Sequence, residues 1–572
     1  MRFVVVGGGV AGVCCAEELC RLQPKDEVTL VSASRVLKGV SVVARLSRNL
    51  EELALVERRL DELPYPNLRL DVAAGIDTEG KALLLGSGGR LPYDKLCICA
   101  GARPKQLPPA VFRASANGAA AADGSPAASN AQHAKQAQRD GELAALQQRV
   151  LTIRDTDSVA RLAARLRRSR RVVVVGNGGI ALELISGLKG ADVTWVMKHA
   201  HIGDAYFDLD AAQFLLEELQ HQRRRVAAAA SGAVGADRRQ QQEGKQQQGE
   251  QQQQQQSQNE QQHGGDDPAG VSGVLGHAVG PRWVQQLPAG AGAGQNGGGS
   301  GLGSVELEYG AEISAIQFAP ADGSQGQPQQ QQPEQQGAGT AGSPASVAAG
   351  AAGAAGEGPW ADRPLLLTLT NGRQLEADLV LLAIGVRPAL EWVPPGLERA
   401  VDGGLRVNRH MQSSDPCIYA AGDSASCQWA ADEARHWFQM RLWSQARAMG
   451  IYAAHCMAGV QDQTGSDMAF ELFTHVTRFL GKKVVFLGLY NGQRLEAEPA
   501  ADVVTYSRID EEPEGRSFVR VLLLRGRVQG AVLIGSTDLD ETLENLILDQ
   551  LDVGGYGPHL LDPDVELDHV FD

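Results

Sequence analysis

The chain has 572 residues and a formal net charge of −15, a length that accommodates about three or four domains. The acidic balance argues against a dedicated nucleic-acid surface, which needs a basic patch. The first strand starts at Arg2 and no apolar run reaches about 18 residues, so a soluble protein of the cytoplasm and/or nucleus is expected, without a secretory signal or membrane span.

Phe3 to Val6 is a β-branched run followed by Gly7, Gly8, Gly9, Val10, Ala11 and Gly12. Hydrophobic residues on both faces predict a buried parallel strand, and the glycines open a helix. In such a loop the first glycine makes the turn and the second admits a pyrophosphate. The third position packs helix on strand. Leu96 to Cys99 then forms a strand ending in Ala100, Gly101 and Pro104. Val172 to Val175 repeats the opening pattern with Gly176, Gly178, Gly179 and Ala181, and Leu379 to Ile384 repeats the return strand with Gly385 and Pro388. One glycine loop is weak evidence; two, each after a strand and each with a return strand, point to two dinucleotides facing each other. Asn371-Gly372 between Leu365 and Ala377 predicts a hairpin.

Ile418 to Ala421 delivers Gly422 and Asp423. The carboxylate is suited to sugar-alcohol hydroxyls, or to capping a following helix. Segments 112–148, 226–300 and 319–360 are rich in Ala, Gly, Ser and Gln and read as disordered insertions, having too little apolar side chain to offset the entropy of ordering. The eight cysteines form no CxxC or CxxxxC, and read as buried thiols of a reducing compartment. From about Gln461, period-2 runs and an amphipathic stretch over Leu539 to Leu551 predict a small sheet backed by a helix. The acidic face at Asp538, Asp540, Glu541 and Glu544 reads either as a docking surface for a basic partner or as a solvated helix face.

Together the two glycine loops, the two return strands and the Ala-Gly-Asp strand resemble the pyridine nucleotide–disulfide oxidoreductases, the two-dinucleotide-binding flavoproteins. The expected fold is α/β, with two Rossmann-like dinucleotide-binding domains and a small α+β C-terminal domain. The expected layout is an FAD domain in two parts (1–110 and 386–455), an NAD(P)H domain over 150–385 and a C-terminal domain over 461–572. The resemblance implies that Gly7, Gly8, Gly9, Val10, Ala11 and Gly12, with Ser32, Lys38, Ala100, Gly101, Gly422 and Asp423, hold FAD. It likewise implies that Gly176, Gly178, Gly179, Ala181, Lys198 and Gly385 hold NAD(P)H. Segments including Phe470 to Thr477 and Gln439 to Arg447 resemble one branch of that family, which implies association with a tRNA ligase complex guarded from oxidative inactivation in the presence of NAD(P). The family's C-terminal domain also implies a possible homodimer.

Three departures from the family bear on function. The stretch Val36 to Arg48, expected as a helix carrying the redox cysteines, has none and contains Lys38 and Arg45. The acid expected about 20 residues past the first loop is replaced by Val31-Ser32-Ala33-Ser34. The C-terminal domain offers only His475 as a proton donor, in a segment expected to be packed. No catalytic side chain and no metal are assigned. Lys198 and His199, at the end of the second strand of the second unit, suit a 2′-phosphate or are surface cations. The expected activity is hydride transfer between NAD(P)H and FAD without a disulfide. The alternatives are a thiol reductase using displaced cysteines and a non-catalytic flavin-dependent binding protein.

Overall fold

The computed structural model describes residues 1–59, 67–114, 126–153, 156–188, 190–230, 304–320, 360, 362–429, 434–460, 470–512, 515–535, 537–563 and 565. Most of segments 226–300 and 319–360 lies outside them.

Two parallel five-stranded sheets are built on one plan. In the first, the strands run 418–420, 95–98, 2–6, 27–32 and 68–70 across the sheet; in the second, 150–152, 379–382, 171–175, 192–196 and 305–308. The valines of both central strands are buried, as a sheet covered on both faces requires. Each unit also carries a three-stranded antiparallel sheet, formed by 73–77, 82–85 and 90–92 in the first and by 313–318, 365–369 and 374–377 in the second. The last two strands form the predicted Asn-Gly hairpin, with Gly372 at φ +85°.

Strand Ala102–Pro104 pairs antiparallel with Val386–Pro388, so the two return strands cross-link the units just beyond their sheets. The C-terminal unit is a five-stranded antiparallel sheet backed by helix Asp540–Asp549. It packs on its own chain. Phe479 and Phe486 meet Tyr206 and Phe207 with ring centroids 5.3 to 5.9 Å apart. Lys482 faces Glu218 at 3.3 Å.

Three expectations change. Val36–Arg45 is a strand paired with Glu51–Arg59, not a helix; the β-branched Val36, Val40, Val42 and Val43 favour a strand over a helical turn. Residues 126–148, expected within a disordered insertion, form a helix whose end is in the core: Ala145 and Leu146 are buried and Leu143 packs beside them. Half of the acidic face is engaged, while Asp538 and Glu541 stay exposed. Glu544 is 1% exposed and accepts from the Ser47 hydroxyl and the Asn49 N–H, and Asp540 pairs with Lys483 at 2.8 Å.

Because Leu146 is fully buried, Leu146→Ala should cost about 2–4 kcal/mol, as large-to-small core changes do. Urea unfolding of the two proteins measures it, and an unchanged midpoint would show that this helix adds nothing to the core.

Candidate functional site

Both glycine loops line one cavity of 1840 Å³ between the two units. Gly7 and Gly176 occupy φ +126° and +125°, and a Cβ on either would lie 2.0 or 2.2 Å from a return-strand carbonyl oxygen, of Cys99 and Ala383 respectively. Only glycine fits both demands. A Cβ at Gly9 or Gly178, by contrast, would meet no protein atom within 4 Å, which leaves room for a ligand group as bulky as a pyrophosphate. Gly12 and Ala181 sit behind the loops. A Cβ at Gly12 would collide with the Gly7 carbonyl, and Ala181 is fully buried.

Helices Val10–Leu22, Gly179–Gly187 and Trp443–Ala458 all start at the cavity, and none has a side-chain cap. Their first-turn N–H groups and positive dipole ends favour anionic groups there. The third helix begins at Trp443, and Leu442, Trp443 and Ala446 line the cavity. Gly422 and Asp423 lie beside it, and the Ser424 hydroxyl accepts from the Gly101 N–H at 3.0 Å. The sequence-derived residues therefore converge: Gly7, Gly8, Gly9, Val10, Ala11, Ser32, Lys38, Ala100, Gly101, Gly176, Gly178, Gly179, Lys198, Gly385, Gly422 and Asp423 line one space. The donor groups and the room at the loops fit two dinucleotides.

Several details were not legible beforehand. Ser32 spends its hydroxyl on its own loop, donating to the Ser34 carbonyl at 2.8 Å and accepting from the Ser34 N–H. The Lys38 N–H donates to the Gly8 carbonyl at 2.9 Å, so the hairpin braces the first loop. Lys198 and His199 each face a carboxylate, Glu312 at 3.5 Å and Asp204 at 3.0 Å. Asn177 shapes the second loop by donating to the His201 carbonyl and to Asp204 and accepting from the Gly203 N–H. Buried Glu183 reaches the cavity from the second nucleotide helix; its signal was one acid within an apolar helix. Arg441 lines the cavity and pairs with Asp402 at 2.7 Å.

Cys99 is the one cysteine among the lining residues. It lies 3.5 Å from Cys97, both fully within the protein. The hydrogen bond that the Cys97 thiol donates to Cys15, with burial, holds Cys97 well above the ordinary range, and a bond to Cys97 with burial does the same to Cys99. Burial pushes Cys14 up to about 12. Thiols held neutral in this way are poor nucleophiles.

The C-terminal unit walls the cavity through His475, Thr477 and Phe479. His475 is 4% exposed, stacks on Phe486 at 9° and has Nδ1 3.0 Å from the Ser444 hydroxyl. Burial lowers its pKa from 6.5 to about 4, and burial does the same to His436.

The family model described as pyridine nucleotide-disulphide oxidoreductase matches residues 1–254 and 347–450. The chain is 34% identical to mouse (Mus musculus) pyridine nucleotide-disulfide oxidoreductase domain-containing protein 1, over 100% of this chain and 98% of that one. It is 35% identical to the zebrafish (Danio rerio) protein of the same name, with the same coverage. Among solved structures it is similar to an NAD-dependent persulfide reductase from A. fulgidus, with a TM-score of 0.57 and 15% identity over 97% of this chain and 78% of that one. It is also similar to the water-forming NADH oxidase of Lactobacillus brevis bound to NADH, with a TM-score of 0.55 and 16% identity over 96% and 91%. At these identities the structural likeness speaks for the fold.

Two outcomes are expected. Gly9→Val should yield folded protein without FAD, since its side chain enters the open space at the first loop; a full flavin spectrum in that variant refutes the assignment. His436 and His475 bind protons less readily folded than unfolded, so stability is whole above about pH 6.5 and declines as pH falls towards 4. The loss is on the order of 3 kcal/mol per histidine. His475→Phe should remove one share, read from unfolding midpoints across that pH range.

Proposed function

The chain belongs to the pyridine nucleotide-disulphide oxidoreductase family, whose members bind FAD and NAD(P)H, and on that premise we propose that it is an FAD-dependent NAD(P)H oxidoreductase working without a redox disulfide. The observation that carries this is the single cavity lined by two glycine loops, whose lining cysteine among the described residues, Cys99, is buried against Cys97 with both thiols held neutral. When bound, the flavin supplies two-electron chemistry by accepting hydride from the nicotinamide. The chain's own part is to hold the two rings against each other and exclude water, and this needs no protein nucleophile. The first loop, Asp423 and the start of helix Trp443–Ala458 hold FAD; Gly176, Gly178, Gly179 and Gly385 hold the nicotinamide nucleotide. The displaced-thiol alternative is disfavoured by the buried, neutral Cys97 and Cys99.

NADH is the better-suited donor in this reading. Glu312 enters the cavity beside Lys198 and supplies the acid that the second unit lacks at the end of its second strand, where a carboxylate suits a ribose hydroxyl and repels a 2′-phosphate. Protection of a tRNA ligase complex, implied by the family branch, is proposed as the use made of the NAD(P)H-reduced protein. A pull-down with and without NAD(P)H tests that association.

Anaerobic titration of the flavin spectrum is the main test: NADH should bleach it, and a flavin that neither NADH nor NADPH reduces defeats the reading. Glu312→Gln should move the NADPH:NADH preference towards NADPH on the order of tenfold, through loss of one charge–charge repulsion. The double change Cys97→Ala, Cys99→Ala should leave the reduction rate within about threefold, as expected where no thiol takes part.

A further inference from the structure

The cysteines expected as buried thiols are not all buried: six are, while Cys20 and Cys417 are partly exposed. Burial and the Glu17 carboxylate push the Cys20 thiol up, which keeps it a poor nucleophile. Cys417 has different neighbours. The Lys81 Nζ donates to its Sγ at 3.3 Å, between residues 336 apart in the chain. Lys95 is a second cation within electrostatic reach of that sulfur, its own Nζ bonded to the Met457 carbonyl at 2.6 Å. The hydride half-reaction uses none of these groups.

A third neighbour has an unused donor. The Tyr93 N–H donates to the Lys81 carbonyl at 2.9 Å. Its ring is fully buried, and its hydroxyl has no hydrogen-bond partner among the described residues. Burial pushes that phenol up, followed by the charges of Asp415, Cys417 and Asp77, so it keeps its proton and stays a donor. A buried donor without an acceptor is costly. The site thus combines a reachable sulfur, a primary amine in contact with it and a hydroxyl donor still to be satisfied.

We propose that Cys417 and Lys81 form a peroxide-dependent modification site, at which hydrogen peroxide joins the two side chains through an S–N bond. In the first step the thiol and hydrogen peroxide give the sulfenic acid and water. The peroxide O–O bond breaks, an S–O bond forms, and sulfur gives up two electrons. The new oxygen offers the Tyr93 hydroxyl an acceptor. In the second step the neutral Lys81 amine attacks the sulfur. An S–N bond forms, the S–O bond breaks, and hydroxide leaves as water with a proton from nitrogen. Condensation of a sulfenic acid with a nearby nitrogen is established cysteine chemistry, and holding the amine against the sulfur favours it over further oxidation. The bond ties the turn between strands 73–77 and 82–85 to the head of strand 418–420, just ahead of Gly422 and Asp423. It therefore fastens together the two chain segments that build the first nucleotide unit.

The test treats full-length, flavin-loaded protein with hydrogen peroxide and maps its peptides by mass spectrometry without reductant. The Lys81 and Cys417 peptides should appear joined, about 2 Da lighter than their sum because two hydrogens are lost, and dithiothreitol should separate them. Lys81→Arg keeps the charge and removes the amine, so no link should form. Its Cys417 sulfenic acid, trapped with dimedone, should exceed that of wild type at least about threefold. Tyr93→Phe should lower the trapped yield in the Lys81→Arg background. Oxidised wild type should release flavin at a higher urea concentration than oxidised Lys81→Arg. Cys417 left reduced while peroxide labels another cysteine overturns the site. A Cys417 sulfenic acid that accumulates equally in wild type and Lys81→Arg, with no link, overturns the role of Lys81. Equal trapping with and without the Tyr93 hydroxyl removes its part, and equal flavin release overturns the fastening.

Discussion

The antiparallel pairing of Ala102–Pro104 with Val386–Pro388 is the constraint on which the site depends. Each return strand leaves its parallel sheet through a left-handed glycine, Gly101 at φ +69° and Gly385 at +89°. Flanking backbone bonds from Ala389 to Gly101 and from Lys105 to Gly385 extend the contact. Each hydrogen bond adds only about 1 kcal/mol net, so the importance is geometric. The pairing turns the carboxyl ends of two separate sheets towards each other, and ligands of open α/β sheets bind at those ends. Three uncapped helix starts thereby converge on one cavity, and their positive ends favour phosphates and a negatively charged reduced ring.

The strand pair 36–59 stands where a helix carrying redox cysteines was expected. That stretch is rich in β-branched residues, contains no cysteine and spans the gap between the first loop and the C-terminal unit. Lys38 supports Gly8 at one end, and Asn49 meets Glu544 near the other. Cys14, Cys15, Cys97 and Cys99 pack as apolar side chains in the core of the first unit. The C-terminal unit is fastened to the second nucleotide unit by aromatic contacts and by Lys482 and Arg516 facing Glu217 and Glu218. Partly buried ion pairs of this kind contribute modestly to stability, since desolvation offsets attraction. Here they orient the strand that walls the cavity.

Local chemistry was legible in the chain by itself. Glycine spacing after valine runs, the duplicated return strands and Gly422-Asp423 all describe backbone demands within a few residues, and such demands show in sequence. They were enough for two dinucleotide units and for most of the lining of the cavity. The low-complexity stretch ending at Gln148 was misread because only Leu143, Ala145 and Leu146 carry its helical signal, too short a run to show a period. Val36 to Arg45 was misread because family position outweighed its own β-branched composition.

What only the tertiary structure decided is what is brought together from distant segments. Glu312 meets Lys198 from a strand connection more than a hundred residues away and sets a carboxylate beside that cation. His475 carries no motif, yet the packing of the C-terminal sheet sets it in the cavity wall. Of the acidic residues at the last helix, Glu544 is buried against Ser47 and Asn49, whereas Glu541 is exposed. Backbone conformation is written in neighbouring residues, whereas charge pairing and burial depend on which segments the fold makes adjacent.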